Sequence, residues 1–199
     1  MKKMYKAMAL VLCAVLLVAG SVVGTLAYLQ SQTQAITNVM TVGNVQITLS
    51  ESKVNEYGVA EGDEKIIATA DGVTVGQNSY KLIPGRTYTK DPTITVQEGS
   101  EKCWIFAKLE DGLDDASEIT INAGWEQITT NDGSLVYAYD TALAANDSQT
   151  LFDSFKFTEN ANPADYATKS IIITAYAVQE YGFPTAQDAW NATFGASNP

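Results

Sequence analysis

Ser170-Ile171-Ile172-Ile173-Thr174-Ala175-Tyr176-Ala177-Val178 is the stretch that decides the fold. A strand places alternate side chains on opposite faces. Ile171, Ile173, Ala175 and Ala177 then point one way, and Ile172, Thr174, Tyr176 and Val178 the other. Both faces are largely apolar, which predicts a central strand covered on both sides. A second run, Cys103-Trp104-Ile105-Phe106-Ala107-Lys108-Leu109, puts Cys103, Ile105, Ala107 and Leu109 on one face. Val45, Ile47 and Leu49 alternate with Gln46, Thr48 and Ser50 in a half-buried strand.

Shorter strand-like runs fill the space between: 65–70, 73–75, 80–83, 87–90, 93–96, 119–121, 135–139 and 151–157. Turn chemistry separates several of them, at Pro84-Gly85, Glu98-Gly99-Ser100 and Asn131-Asp132-Gly133-Ser134. Many short strands at near-regular spacing predict an all-β, jelly-roll-like antiparallel sandwich over residues 42–199. One short helix is expected at the C-terminus. Thr185 caps it with Asp188 three residues on, and Ala186, Ala189 and Trp190 share a face.

The N-terminus reads differently. Lys2, Lys3 and Lys6 precede an apolar stretch that ends in small residues near Ala27. That order is the pattern of a secretory signal peptide over residues 1–27, with cleavage expected between Ala27 and Tyr28. The competing reading is an uncleaved anchor, since the stretch from Ala7 to Ala27 would span about 30 Å as a helix. Either way, the chain is bound for the outside of the cell. Residues 28–41 follow as a polar, extended arm in which Leu29, Ile36 and Val39 are candidates for entering a neighbour's groove.

The 199-residue chain has 12 basic and 23 acidic residues, a formal net charge of −11. Removing Lys2, Lys3 and Lys6 with the signal leaves 9 basic residues against 23 acidic, or −14. Such a surface repels nucleic acid. Of the two cysteines, Cys13 lies in the signal, so the exported chain keeps Cys103 and no intrachain disulfide. Its place in an alternating strand predicts a buried thiol.

The chain has no histidine, which excludes Ser-His-Asp and Cys-His nucleophile sites and the His-Glu-x-x-His zinc arrangement. Asp140-Thr141-Ala142 lacks the glycine and the second copy of an aspartic-protease pair. No glycine-rich phosphate loop is present. No catalytic residue is therefore assigned, and a non-enzymatic protein is expected. Acid clusters are the one polar feature of interest. Glu110, Asp111, Asp114 and Asp115 are candidate calcium ligands in a turn after a strand, and Glu61, Asp63 and Glu64 fall in a second expected turn.

Three stretches carry a resemblance. Thr25-Leu26-Ala27-Tyr28-Leu29 is followed by Ile36-Thr37-Asn38-Val39-Met40-Thr41-Val42-Gly43-Asn44-Val45, with Met40 where Phe is usual. Lys81-Leu82-Ile83-Pro84-Gly85-Arg86-Thr87-Tyr88-Thr89-Lys90-Asp91 carries a Pro-Gly-x-x-x-x-Lys-Asp pattern, and the segment from Ile173 to Trp190 adds a third match. Together they resemble the family with a SipW-dependent signal peptide, which includes the TasA fibre proteins and the camelysin (CalY) proteins of Gram-positive bacteria.

The resemblance implies a jelly-roll sandwich and processing by a signal peptidase of the SipW type. It further implies deposition at the cell surface or in a biofilm matrix. For the TasA branch it implies self-association into fibres, with the N-terminal segment completing a neighbour's sheet. Camelysins are described as metalloproteases, and this chain lacks the histidine ligands common in such sites. Cell-wall or matrix components are further expected partners. The alternative from residue chemistry is an adhesive or carbohydrate-binding module, with Trp104, Trp125, Tyr137 and Tyr139 stacking on a sugar ring.

Overall fold

β6 (Cys103–Asp111) shows how the architecture follows from the alternation. The side chains of Cys103, Ile105 and Ala107 are fully buried on one face, with Leu109 nearly so. Its other face buries Trp104 and Phe106. Burying a residue such as Ile105 contributes about 2 kcal/mol, so this strand is the mechanical centre of the fold. The computed structural model of the chain describes residues 44–69, 74–75 and 77–195. The signal, the Ala27–Tyr28 junction and the arm with Leu29, Ile36 and Val39 lie outside the described residues.

Among the described residues, twelve strands form three antiparallel sheets. The other strands are β1 (Ile47–Val54), β2 (Ala60–Thr69), β3 (Thr74–Val75), β4 (Thr87–Thr89), β5 (Thr93–Val96), β7 (Ser117–Ile119), β8 (Trp125–Ile128), β9 (Val136–Tyr139), β10 (Ser148–Thr150), β11 (Ser154–Phe157) and β12 (Ile171–Gln179). Their spatial orders are β10-β5-β1-β2-β3, β4-β11-β7 and β12-β6-β9-β8. The five-stranded and four-stranded sheets pack face to face. Between them lies one core in which Ile94 and Val96 of β5 meet Cys103, Ile105 and Ala107 of β6. This is an all-β sandwich, as the alternation predicts.

A second core lies on the outer face of the four-stranded sheet, beneath the single described helix α1 (Ala186–Thr193). Thr185 accepts a hydrogen bond from the Asp188 N–H (3.1 Å) and donates its hydroxyl to the Asp188 carboxylate (2.7 Å), the expected capping pair. Trp190 then docks on Phe106, with ring centroids 5.2 Å apart, and on Tyr176 at 5.5 Å. A third core gathers Tyr88, Phe155, Phe157, Leu113 and Ala116 around the three-stranded sheet.

Four expectations change. β12 is an edge strand, paired over all nine residues with β6 and with no strand on its other side among the described residues. Apolar faces report what packs above and below a strand, here the first core on one side and α1 over Tyr176 and Val178 on the other, where Ile172 is left exposed; they say nothing of lateral pairing. Glu61, Asp63 and Glu64 lie on β2, not in a turn. The true turn is at residues 55–59, where Gly58 adopts φ +73° and a Cβ there would come within 2.8 Å of Tyr88 Cα. The expected strand 80–83 is irregular, with Tyr80 and Leu82 packed on the third core. The expected strand 151–157 is strand only over β11, which begins at Ser154; β10, in a different sheet, ends before it at Thr150. Leu151 and Phe152 between them are fully buried in the first core.

Candidate functional site: a groove beside the open strand

Lys90 is the one buried charged side chain among the described residues. It follows β4, and its ammonium donates to Glu51 Oε1 of β1 at 2.6 Å. The next residue, Asp91, accepts hydrogen bonds from the Ser52 N–H (2.6 Å) and the Ser52 hydroxyl (2.7 Å), and pairs with Lys65 of β2 at 3.2 Å. The Lys90-Asp91 dipeptide therefore clamps the middle of β1. Pro92, directly after it, is fully buried.

Burial works to raise the pKa of Asp91. The two Ser52 hydrogen bonds and the Lys65 ammonium outweigh it, and hold the carboxyl below its ordinary value of 3.8. A depressed carboxyl stabilises the fold fully above its unfolded pKa and loses that contribution as the pH falls through the folded value. Asp91→Asn should therefore flatten the acid limb of stability below about pH 4. Urea midpoints of both proteins from neutral pH down into that window are the check.

Above this clamp lies a groove of about 980 Å³ between β1–β2 and the start of β12. Its walls mix apolar residues, Leu49, Ile66, Leu82, Leu113, Ile171 and Ile173 among them, with polar ones that include Glu51, Asn78, Lys81, Lys90 and Lys169. Burial and the nearby Glu51 charge push the Tyr80 phenol above its usual range, so it stays neutral; its hydroxyl donates to Thr89 O at 3.1 Å. A wall of mixed apolar and polar side chains suits an extended peptide whose side chains enter on one face.

The acidic calcium candidates do not converge. Glu110 lies beside Lys108 at 3.2 Å. Asp111 is used locally, accepting from the Leu113 N–H (2.9 Å) and from the Ser117 hydroxyl. Asp114 and Asp115 are exposed in the following 3₁₀ turn. Among the described residues, no group of three or more carboxylate, thiol or imidazole side chains could hold one ion. Acids that straddle a strand end point in different directions, which a count of nearby acids cannot reveal.

The aromatic candidates for sugar stacking separate as well. Trp125 is buried in the first core, edge-on to Tyr139 at 5.4 Å, with Tyr137 partly buried nearby. Trp104 is buried in the second core, donating from its indole to Phe183 O at 3.2 Å. They form no shared exposed platform. Cys103 is fully buried as expected, and burial pushes its thiol up to about 11. It is therefore a protonated packing group at neutral pH.

Sequence reasoning missed the groove and the Glu51–Lys90 pair. The Lys90-Asp91 motif was the available signal, since a lysine and an aspartate before a proline in a strand-rich region need nearby partners. The chain matches no protein-family model, no curated protein and no solved structure.

Proposed function

We propose that this chain is a secreted structural protein of the cell surface or biofilm matrix, assembled into fibres through its N-terminal arm. Export begins with the signal at residues 1–27, and a signal peptidase of the SipW type frees Tyr28. The arm at residues 28–41 of one subunit then enters the groove of the next. The contact is head-to-tail, so it need not close and can extend.

The observation that carries this reading is the groove itself, a trough of about 980 Å³ with mixed apolar and polar walls beside an open sheet edge. The resemblance of the N-terminal stretch and of the Lys90-Asp91 segment supports it further. In the groove, the Lys90-Asp91 segment holds β1 in place as one wall.

The test compares residues 28–199 with residues 39–199 by negative-stain electron microscopy and size exclusion. Filaments from the longer protein and monomers from the shorter are expected. Filaments from both would remove the arm from the mechanism.

A further inference from the structure

Six strands lie at sheet edges among the described residues. Five of them, β3, β4, β7, β8 and β10, have two to four residues each. Short edges are one of the ways in which proteins avoid unwanted pairing. β12 is the exception, with nine residues. It carries no lysine, arginine or proline, the residues that commonly blunt an edge.

The hydrogen-bond pattern shows which of its backbone groups point outward. The Glu180 N–H donates to Lys102 O at 2.8 Å, and Ser170 O accepts from the Gly112 N–H at 3.0 Å. In an antiparallel pair, residues alternate between those bonded to the partner and those facing away. Even-numbered residues of β12 therefore bond to β6. The N–H and C=O groups of Ile171, Ile173, Ala175, Ala177 and Gln179 face the open side. The side chains of Ile171, Ile173, Ala175 and Ala177 pack toward the first core and are only partly buried. A strand laid along this edge would gain hydrogen bonds and cover apolar surface together.

Resting on the fibre reading above, we infer that the receiving element is the outer edge of β12, and that it takes the arm of a second copy as an antiparallel strand. Length agrees: β12 spans about 30 Å, and a fourteen-residue arm can cover it. Direction decides between copies. The described chain starts at Asn44, whose carbonyl accepts from the Glu101 N–H at 2.9 Å. That point lies at the Gln179 end of β12, because Lys102 and Glu180 are bonded there. An arm leaving from that end reaches its own β12 only as a parallel strand, the slightly less stable pairing. A neighbour's arm has no such restriction.

The experiment adds a synthetic peptide of residues 28–41 to the arm-deleted protein, residues 39–199, which keeps the whole compact unit from residue 42 on and leaves β12 unoccupied, and follows amide hydrogen exchange by NMR. The amides of Ile171, Ile173, Ala175 and Ala177 should slow about tenfold or more on peptide addition, while those of Ile172, Thr174 and Tyr176 stay protected throughout. A spin label at the peptide N-terminus should broaden signals near Gln179, the antiparallel outcome. Broadening near Ile171 would overturn the direction. Unchanged odd-numbered amides, or full protection of them before peptide is added, would overturn the edge itself.

Ala175→Pro supplies a second readout. It removes an outward N–H and leaves the ladder to β6 intact, a placement that edge strands tolerate. Filaments should be lost with the thermal midpoint retained. If Ala175→Pro still forms filaments and residues 39–199 do not, the arm reading stands and the β12 inference falls. If neither change affects filaments, both fall.

Discussion

Phe155→Ala is expected to destabilise the sandwich by about 4 kcal/mol. Phe155 is the central residue of a small core. Its ring stacks on Tyr88 with centroids 5.1 Å apart and meets Tyr80 edge-on at 5.3 Å. It is 2% exposed. β11 lies between β4 and β7, so the three-stranded sheet loses the anchor of its middle strand. Truncation removes the transfer energy of the ring and leaves a cavity that the neighbouring backbone cannot close. Phe155→Leu keeps most of the volume and should cost no more than about 1.5 kcal/mol. Urea denaturation measures the difference, and the thermal midpoint of the alanine variant should fall by roughly 12 °C. A loss under about 1 kcal/mol would mean that the third core is loosely packed.

Lys90→Ala is expected to cost about 3 kcal/mol. The Lys90 and Glu51 side chains are 8% and 17% exposed, and 2.6 Å separates their charged atoms. Removing the ammonium leaves a carboxylate in the groove wall without its partner. The penalty then comes from the stranded charge more than from the lost pair. Replacing both residues separates these effects. Glu51→Leu with Lys90→Met should lie within about 1 kcal/mol of the parent, because two apolar groups of similar volume fill the space without a desolvation cost. A double variant as unstable as the single would show that the pair itself, and not the stranded charge, carries the stability. Since both residues line the groove, the stable double variant also supplies a folded protein in which groove polarity alone has changed.

Legibility varied from element to element. The period-two pattern of β6 is local, and it correctly placed Cys103, Ile105, Ala107 and Leu109 together in the first core. The Thr185–Asp188 cap is also local, since both partners lie within one helical turn. The acidic run at Glu61–Glu64 misled, because charge suggested a loop where exposed strand residues pair across a hairpin. Ser52 opposes Lys65 there, and Val54 opposes Ala60 across a bulge. The break between β10 and β11 was hidden for a related reason. Leu151 and Phe152 continue the apolar run, although the chain leaves one sheet and enters another between them.

What the sequence by itself determined was the class of the fold, the faces of its main strands, the helix cap and the burial of Cys103. All of these depend on residues close together in the chain. Only the tertiary structure decided that β12 stands at an edge, that Glu51 meets Lys90 across 39 positions, and that a groove opens between β1–β2 and β12. Lateral strand order and long-range pairing depend on how distant segments close on one another. Two apolar faces look the same in sequence whether a strand has one neighbour or two.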